Sequence, residues 1–347
     1  MRKSFFFVLI TLAILLGLSG CKMSAERALT QESNKVETAP APTVVEPVVT
    51  ASEGDLWSAK LKSQRPIAVM FDNHAGARPQ AGLKDAEIVI EALAEGNITR
   101  YMAFFFEGMP ESVGPIRSAR PYFLDRAMEY DAVYVHVGGS PKALSDIRQL
   151  RIADLDGLSG SNKVFFRKKH KKIPHNLYST MAILRGEADR RKFDKDSVVT
   201  ASVFANDDTT PIGEVSLYVK MPYRKNDGGY MVSYNYLADS KVYQRSINGV
   251  VHLDEIDKSS ITTKNLLIQY VQTNVVDDAG RLDLDLVGSG DAWWLTDGVK
   301  TAIKWEKSSR ESKTNYTTLD GREILLNPGN TWIQIVPKNM TIQWEKI

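Results

Sequence analysis

The chain has 347 residues, with 44 Lys and Arg against 42 Asp and Glu, 43% hydrophobic and 25% charged. That length allows about two globular domains plus extensions, and that composition excludes a wholly disordered chain and a multi-span membrane protein. Residues 1–20 hold Arg2 and Lys3 and no acid, so the remainder carries no net charge and no general attraction to nucleic acid is expected.

Arg2 and Lys3 precede an apolar run over residues 5–18, long enough for a signal-peptide core and shorter than the ~20 residues that span a bilayer. The run closes on Leu18-Ser19-Gly20-Cys21, which resembles the bacterial lipobox. This predicts a signal peptide at 1–20, a diacylglyceryl thioether on Cys21, and an exported protein held by its lipid on the extracytoplasmic face of a bacterial membrane. Cys21 is the sole cysteine, so no internal disulfide can form. Residues 21–62 include Pro40, Pro42 and Pro47 and scarcely any large apolar side chain before Leu56 and Trp57, the composition of a disordered tether.

Beyond the tether, apolar runs at 66–71, 87–93 and 101–106 predict three strands, the last two joined by a turn at Gly96-Asn97. Residues 121–130 space Phe123, Leu124, Ala127 and Met128 along one helical face with Pro121 in the first turn; β-branched and aromatic residues at 132–137 then predict a buried strand. Gly138-Gly139-Ser140-Pro141 offers a cap and a first-turn proline for a helix through Leu150, and 177–190 reads as a further helix. From about 196, strand-length segments are separated by turn dipeptides. Asn248-Gly249 joins 241–246 to 250–253, and Asp297-Gly298 joins 292–296 to 299–305. Asp320-Gly321 then precedes 322–326, and Asn327-Pro328-Gly329 precedes 331–336. The expected fold class is α+β, with a mixed α/β domain over 63–195 followed by a mostly antiparallel β domain over 196–347. No internal repeat of fixed period is visible.

Arg117-Ser118-Ala119-Arg120 leads into a helix start, where free N–H groups and the helix dipole favour an anion and two guanidinium forks can clamp a phosphate or carboxylate. The structural alternative pairs these arginines with Glu91, Glu95 or Asp125. Gly138-Gly139-Ser140 is the same kind of turn but lacks the spacing of a P-loop or dinucleotide fingerprint. Asp72 and His74, with His136 and His175 from other segments, are candidates for acid–base work or metal binding, and Glu91 is a further acid. No short spacing ties any two histidines together, and the metal question stays open. Nucleophilic catalysis has little support, since no Gly-x-Ser-x-Gly elbow is present and Cys21 is committed to lipid. The basic run 167–172 suits anionic lipid or wall polymer, or a solvated loop. Trp293, Trp294, Trp305, Trp332 and Trp344 are expected mainly as core residues rather than as a sugar-stacking face.

The segments Asn73-His74 with Arg78-Pro79-Gln80, Ile90-Glu91-Ala92-Leu93-Ala94-Glu95-Gly96 with Thr99-Arg100, Val113-Gly114-Pro115-Ile116-Arg117-Ser118-Ala119-Arg120, Val135-His136-Val137-Gly138-Gly139-Ser140, Pro174-His175-Asn176-Leu177-Tyr178 and Pro328-Gly329-Asn330-Thr331-Trp332 together resemble the YerB-type family of bacterial lipoproteins. The resemblance spans about 64–337 and implies a lipid-anchored, two-part extracytoplasmic protein without an established activity. At Gly329-Asn330-Thr331 the chain departs from a Gly-Lys-Thr pattern of the family, so no cationic role is assigned there.

The leading expectation is an envelope lipoprotein that binds an anionic ligand, or an envelope polymer or protein carrying one, in an N-terminal cleft. Arg100, Arg117, Ser118, Arg120, His136, Ser140, His175 and Asn176 would line it, the membrane would be a partner through Cys21, and no cofactor is implied. One rival is a hydrolase or phosphoryl transferase acting on lipid-linked or cell-wall polymers, with Asp72, His74 or Glu91 as acid–base or metal groups. The other is an envelope scaffold.

Overall fold

The computed structural model describes residues 65–159, 163–193, 204–205, 208–224 and 229–345. The signal segment, Cys21 and the stretch 21–62 lie outside the described residues. The apolar run after Pro66 forms β1 (Ile67–Asp72), buried along its whole length. Alternation sends Ile67, Val69 and Phe71 to one face and Ala68 and Met70 to the other, and both faces are covered. The following strands are β2 (Ile88–Leu93), β3 (Thr99–Phe105), β4 (Val133–His136) and β5 (Asp154–Asp156). β3 is antiparallel to β1 and β2, whereas β4 runs parallel to β1 and β5 parallel to β4, giving the order β2-β3-β1-β4-β5.

Helices α1 (Pro121–Glu129) and α2 (Pro141–Gln149) start on prolines at their first turn, where a missing N–H costs nothing. Tyr122, Phe123, Ala127, Ala143 and Ile147 pack them on the Ala68/Met70 face of the sheet. The expected helix over 177–190 is shorter. Thr180 caps it by accepting from Ile183 N–H, so α3 is Met181–Arg190, and Leu177–Tyr178 pairs instead as a short strand with Phe166–Arg167.

The described chain is mostly β. Both turn dipeptides deliver hairpins: Val242–Ile247 with Val250–Val251 through Asn248-Gly249, and Gly288–Thr296 with Val299–Lys307 through Asp297-Gly298. Residues 322–326 make only isolated bridges at Glu323 and Leu326. Thr331–Pro337 departs from the antiparallel expectation. It runs parallel to Asn265–Val271 on one side and to β2 on the other, so strands from both halves of the chain form one sheet. A second sheet, built from Tyr218–Arg224, Tyr230–Leu237, Val242–Ile247 and their short neighbours, shares one core with α3 and the Ile67/Val69/Phe71 face, α3 bonding Arg65 O and Phe105 O through Arg185. Trp294, Trp305 and Trp332 are buried, while Trp293 and Trp344 are half-buried and meet edge-on at 5.3 Å beneath Lys300. Among the described residues no helix is long and apolar enough to cross a membrane.

Candidate functional site

The carboxyl ends of β1, β2 and β4 and the amino end of β3 fall along one edge of the sheet, the edge where ligands of parallel sheets commonly sit. Asp72 ends β1 directly opposite Arg100 at the start of β3. Glu95 opens the β2–β3 turn, which closes through Gly96 and Asn97 at φ 68° and 55°. The segment carrying Arg117 is threaded between β1 and β4, with Arg117 N–H donating to Met70 O and Arg117 O accepting from Val137 N–H. Gly138 has φ 58°, and a Cβ on Gly139 would stand 3.1 Å from that of Ala119, so the two glycines let the starts of α1 and α2 lie side by side.

These elements enclose a cavity of about 360 Å³ lined by Asp72, His74, Glu95, Thr99, Arg100, Arg117, Arg120 and His175, together with Arg281 from a distant hairpin. Arg100 donates to Ser118 O at 3.0 Å and to Glu95 Oε2 at 3.2 Å. Arg120 forks onto both oxygens of Glu95, with Nη2 at 2.8 Å, and donates to Ala119 O. Arg117 Nε lies 3.6 Å from Asp72 Oδ2, and the same oxygen accepts from His175 Nδ1 at 2.6 Å. Asp72 Oδ1 accepts from His74 N–H, and the His74 and His175 rings stack with centroids 4.2 Å apart.

Burial and the adjoining Arg120 charge pull Arg100 down to about 10, which leaves it cationic at neutral pH. Burial pushes Glu95 up, but the Arg120 hydrogen bond and the two guanidinium charges outweigh it and hold the carboxyl below its ordinary value. His74 is pushed down by burial and by the charges of His175, Arg117 and Arg78, against the pull of Asp72. Four guanidinium groups thus face two carboxylates across one cavity.

Arg100, Arg117, Arg120, His175, Asp72 and His74 therefore come together, and the other sequence candidates fall elsewhere. Glu91 sits on the opposite face of β2, fully buried, where it bonds Arg245 at 2.8 Å, Thr99, Tyr230 and Gln334. Strand parity separates it from the cleft: Ile88, Ile90 and Ala92 face the helices, Val89 and Leu93 the second sheet. His136 is buried under the Gly138 turn, its Nδ1 on Gly138 O and its Nε2 3.2 Å from Asp154. Ser118 contributes its carbonyl to Arg100 rather than a hydroxyl to the cavity. Ser140 caps α2 through Ala143 N–H and lines a neighbouring cavity. Asn176 bonds Arg167, Lys168 O and Lys171 O, fixing the loop that presents His175.

Of the three candidate structural partners, Glu95 meets Arg120; Arg117 lies beside Asp72 instead, and Asp125 is bonded by Arg310. The basic run 167–172 is partly consumed by Glu255, which bonds Lys168 and Lys171 and lies 3.3 Å from His170. Among the described residues no group of three His, Cys, Asp or Glu is arranged to hold a metal ion. Arg281 escapes a reading of the sequence, because it stands alone in the turn after Thr273–Val275 and only the fold carries that turn to the cleft.

Residues 54–194 match the N-terminal domain, and 219–333 the C-terminal domain, of a family described as "Protein of unknown function (DUF3048)". The chain belongs to this family. It is 34% identical over 278 residues to "Putative lipoprotein YerB" of Bacillus subtilis (strain 168), covering 80% of this chain and 83% of that protein. The crystal structure of the Bacillus subtilis YerB protein superposes with a TM-score of 0.73 at 33% identity, over 82% of this chain and 95% of that one.

Proposed function

We propose that the chain is an extracytoplasmic envelope lipoprotein, acylated at Cys21, that binds an anionic ligand in the cleft between Arg100, Arg117, Arg120 and Arg281. The anchoring follows the apolar segment ending in Cys21 and the naming of the YerB relative as a lipoprotein. One observation carries the binding reading: four arginines from three separate segments line one open cavity whose walls carry two carboxylates, Asp72 and Glu95, with Asp277 bonded to Arg281 from beside it. Guanidinium groups this close repel one another unless an anion joins them, and their planar forks match phosphate and carboxylate oxygens. Titration calorimetry with phosphate and sulfate tests the reading. Arg117→Ala should lower affinity roughly tenfold or more, the loss of a charge-assisted hydrogen bond, while leaving the melting midpoint nearly unchanged. Wild-type protein that binds neither ion would refute it.

A hydrolytic or phosphoryl-transfer role is the second reading, favoured by the Asp72–His175 contact of 2.6 Å inside the same cavity. In the neutral ring, Nδ1–H donating to Asp72 leaves Nε2 with the lone pair that accepts a proton from an attacking water. Hydrolysis of 4-nitrophenyl phosphate that is lost in His175→Asn, with phosphate binding retained, would establish it. Absence of turnover in the wild type leaves binding alone.

A further inference from the structure

The cleft does not end at Arg120. A second cavity of about 380 Å³ adjoins it, and Arg120 and Arg281 line both. Its walls are of another kind. Pro121 and Pro141 occupy the first turns of α1 and α2, so two proline rings face the space where helix starts usually present N–H groups. Val276 and Leu282, from the turn and strand that also carry Arg281, form the facing wall, and Val276 is 57% exposed. The acids at this cavity do not make it an anion-repelling site, because Asp277 is bonded to Arg281 at 2.7 Å and Asp283 is exposed to solvent.

A bare inorganic ion would fill the cationic cavity alone and leave the adjoining one, which mixes apolar side chains with Lys142 and the two shared arginines, unused. Phosphate would engage the guanidinium groups and leave four apolar side chains in water. We infer that the ligand is an amphiphilic anion: a phosphate- or carboxylate-type group held by Arg100, Arg117 and Arg120, bearing an apolar substituent that runs past Arg281 between Pro121, Pro141, Val276 and Leu282. The inference rests on the anion-binding reading above and adds the chemical class of what is bound. Arg281 lies at the junction of the two cavities, where its guanidinium can reach the anion while its alkyl stem lies along the substituent.

A series of phosphomonoesters separates the two claims. Methyl, butyl and hexyl phosphate are titrated calorimetrically into the chain from Lys22 onward, which lacks only the signal segment and the acylated residue, with inorganic phosphate and 1-butanol as references. Each buried methylene is worth up to about a fourfold gain, so butyl phosphate should bind on the order of tenfold more tightly than methyl phosphate even with partial burial. Val276→Ser should flatten that chain-length dependence and leave the affinity for inorganic phosphate unchanged. If methyl, butyl and hexyl phosphate bind equally, the apolar subsite is overturned and the anion site stands. If 1-butanol binds as tightly as butyl phosphate, the two cavities act separately and a two-part ligand is overturned. If neither phosphate nor any ester binds, the anion reading itself falls and takes this inference with it.

Discussion

Replacing Glu95 by glutamine separates a binding cleft from an arginine network that serves only the fold. The Glu95 carboxylate accepts from Arg120 and Arg100, and glutamine keeps its shape while removing its charge. Stability must fall, because Arg100 and Arg120 lose their shared counter-ion. Stripping one partner from a fully buried pair costs about 3–5 kcal/mol, and the partial exposure of Glu95 brings the expectation to about 2–4 kcal/mol. At about 2–4 °C per kcal/mol for a chain of this size, the melting midpoint drops by roughly 4–16 °C. Anion affinity must move the other way. A carboxylate about 6 Å from the bound ion repels each unit of its charge by about 3 kcal/mol at an effective dielectric of about 20, about 6 kcal/mol for doubly charged sulfate, and water and salt at an open cleft reduce that to about 1 kcal/mol. Sulfate should therefore bind roughly fivefold more tightly to Glu95→Gln than to the wild type, and sulfate should restore part of the lost midpoint. Sulfate is the better probe because its charge is constant across the working pH range. A variant that melts lower, in a protein whose midpoint ignores sulfate with or without the substitution, would show that the arginines hold the fold and nothing else.

The buried ion pair on the other face of β2 gives the contrasting case. Arg245 is fully buried, bonds Glu91 and lies over the rings of Tyr101 and Trp332, so Arg245→Met should cost about 3–5 kcal/mol in denaturant melts without altering sulfate affinity; Glu91→Gln/Arg245→Met should recover much of the loss. At Glu255, burial pushes the carboxyl up but the bonds from Lys171, Tyr178 and Lys168 hold it at about 2, below its ordinary 4.5. A depressed carboxyl stabilises the fold above its ordinary value and loses that contribution as pH falls toward the folded value. The gap between wild type and Glu255→Gln should therefore be about 2–3 kcal/mol near neutrality and close between pH 4.5 and about 2, as read from melts against pH. Cys21→Ser should yield protein that is uncleaved or released and carries no acyl chain, measured by mass spectrometry and detergent partitioning; a serine variant still held by acyl chains would refute the lipid anchor.

What the sequence makes legible here is what neighbours in the chain decide. Prolines at the first turns, serine and threonine caps and the Asn-Gly and Asp-Gly turns each act within a few residues, and the corresponding helices and hairpins form where those signals stand. Which acid meets which arginine is not decided locally. Ile88-Val89-Ile90 is buried on both faces, so its continuous apolar run carries no inside-or-outside alternation from which to choose between Glu91 and Glu95. The choice is made by Arg245, which follows Glu91 by 154 residues, and by the second sheet that brings it there. Thr331–Pro337 poses the same difficulty, since its parallel pairing with β2 joins segments from opposite ends of the folded chain and leaves no mark in either one.

One local signal does point at the cleft, and it is a broken rule. Helix starts favour Ser, Thr, Asp or Asn as the residue before the first turn, because a short side-chain oxygen satisfies the free N–H groups. Ser140 does this for α2, but the equivalent position of α1 is Arg120, which offers no acceptor and makes no capping bond. An arginine there adds a positive charge to the positive end of a helix dipole, which is unfavourable in the free protein and becomes favourable when an anion lies between them. Sequences tend to break such local preferences at functional sites. Glu95 meets part of that charge by forking onto Arg120, while Arg117 and Arg281 stand beside it in the same cavity and raise the positive charge that a bound anion would offset.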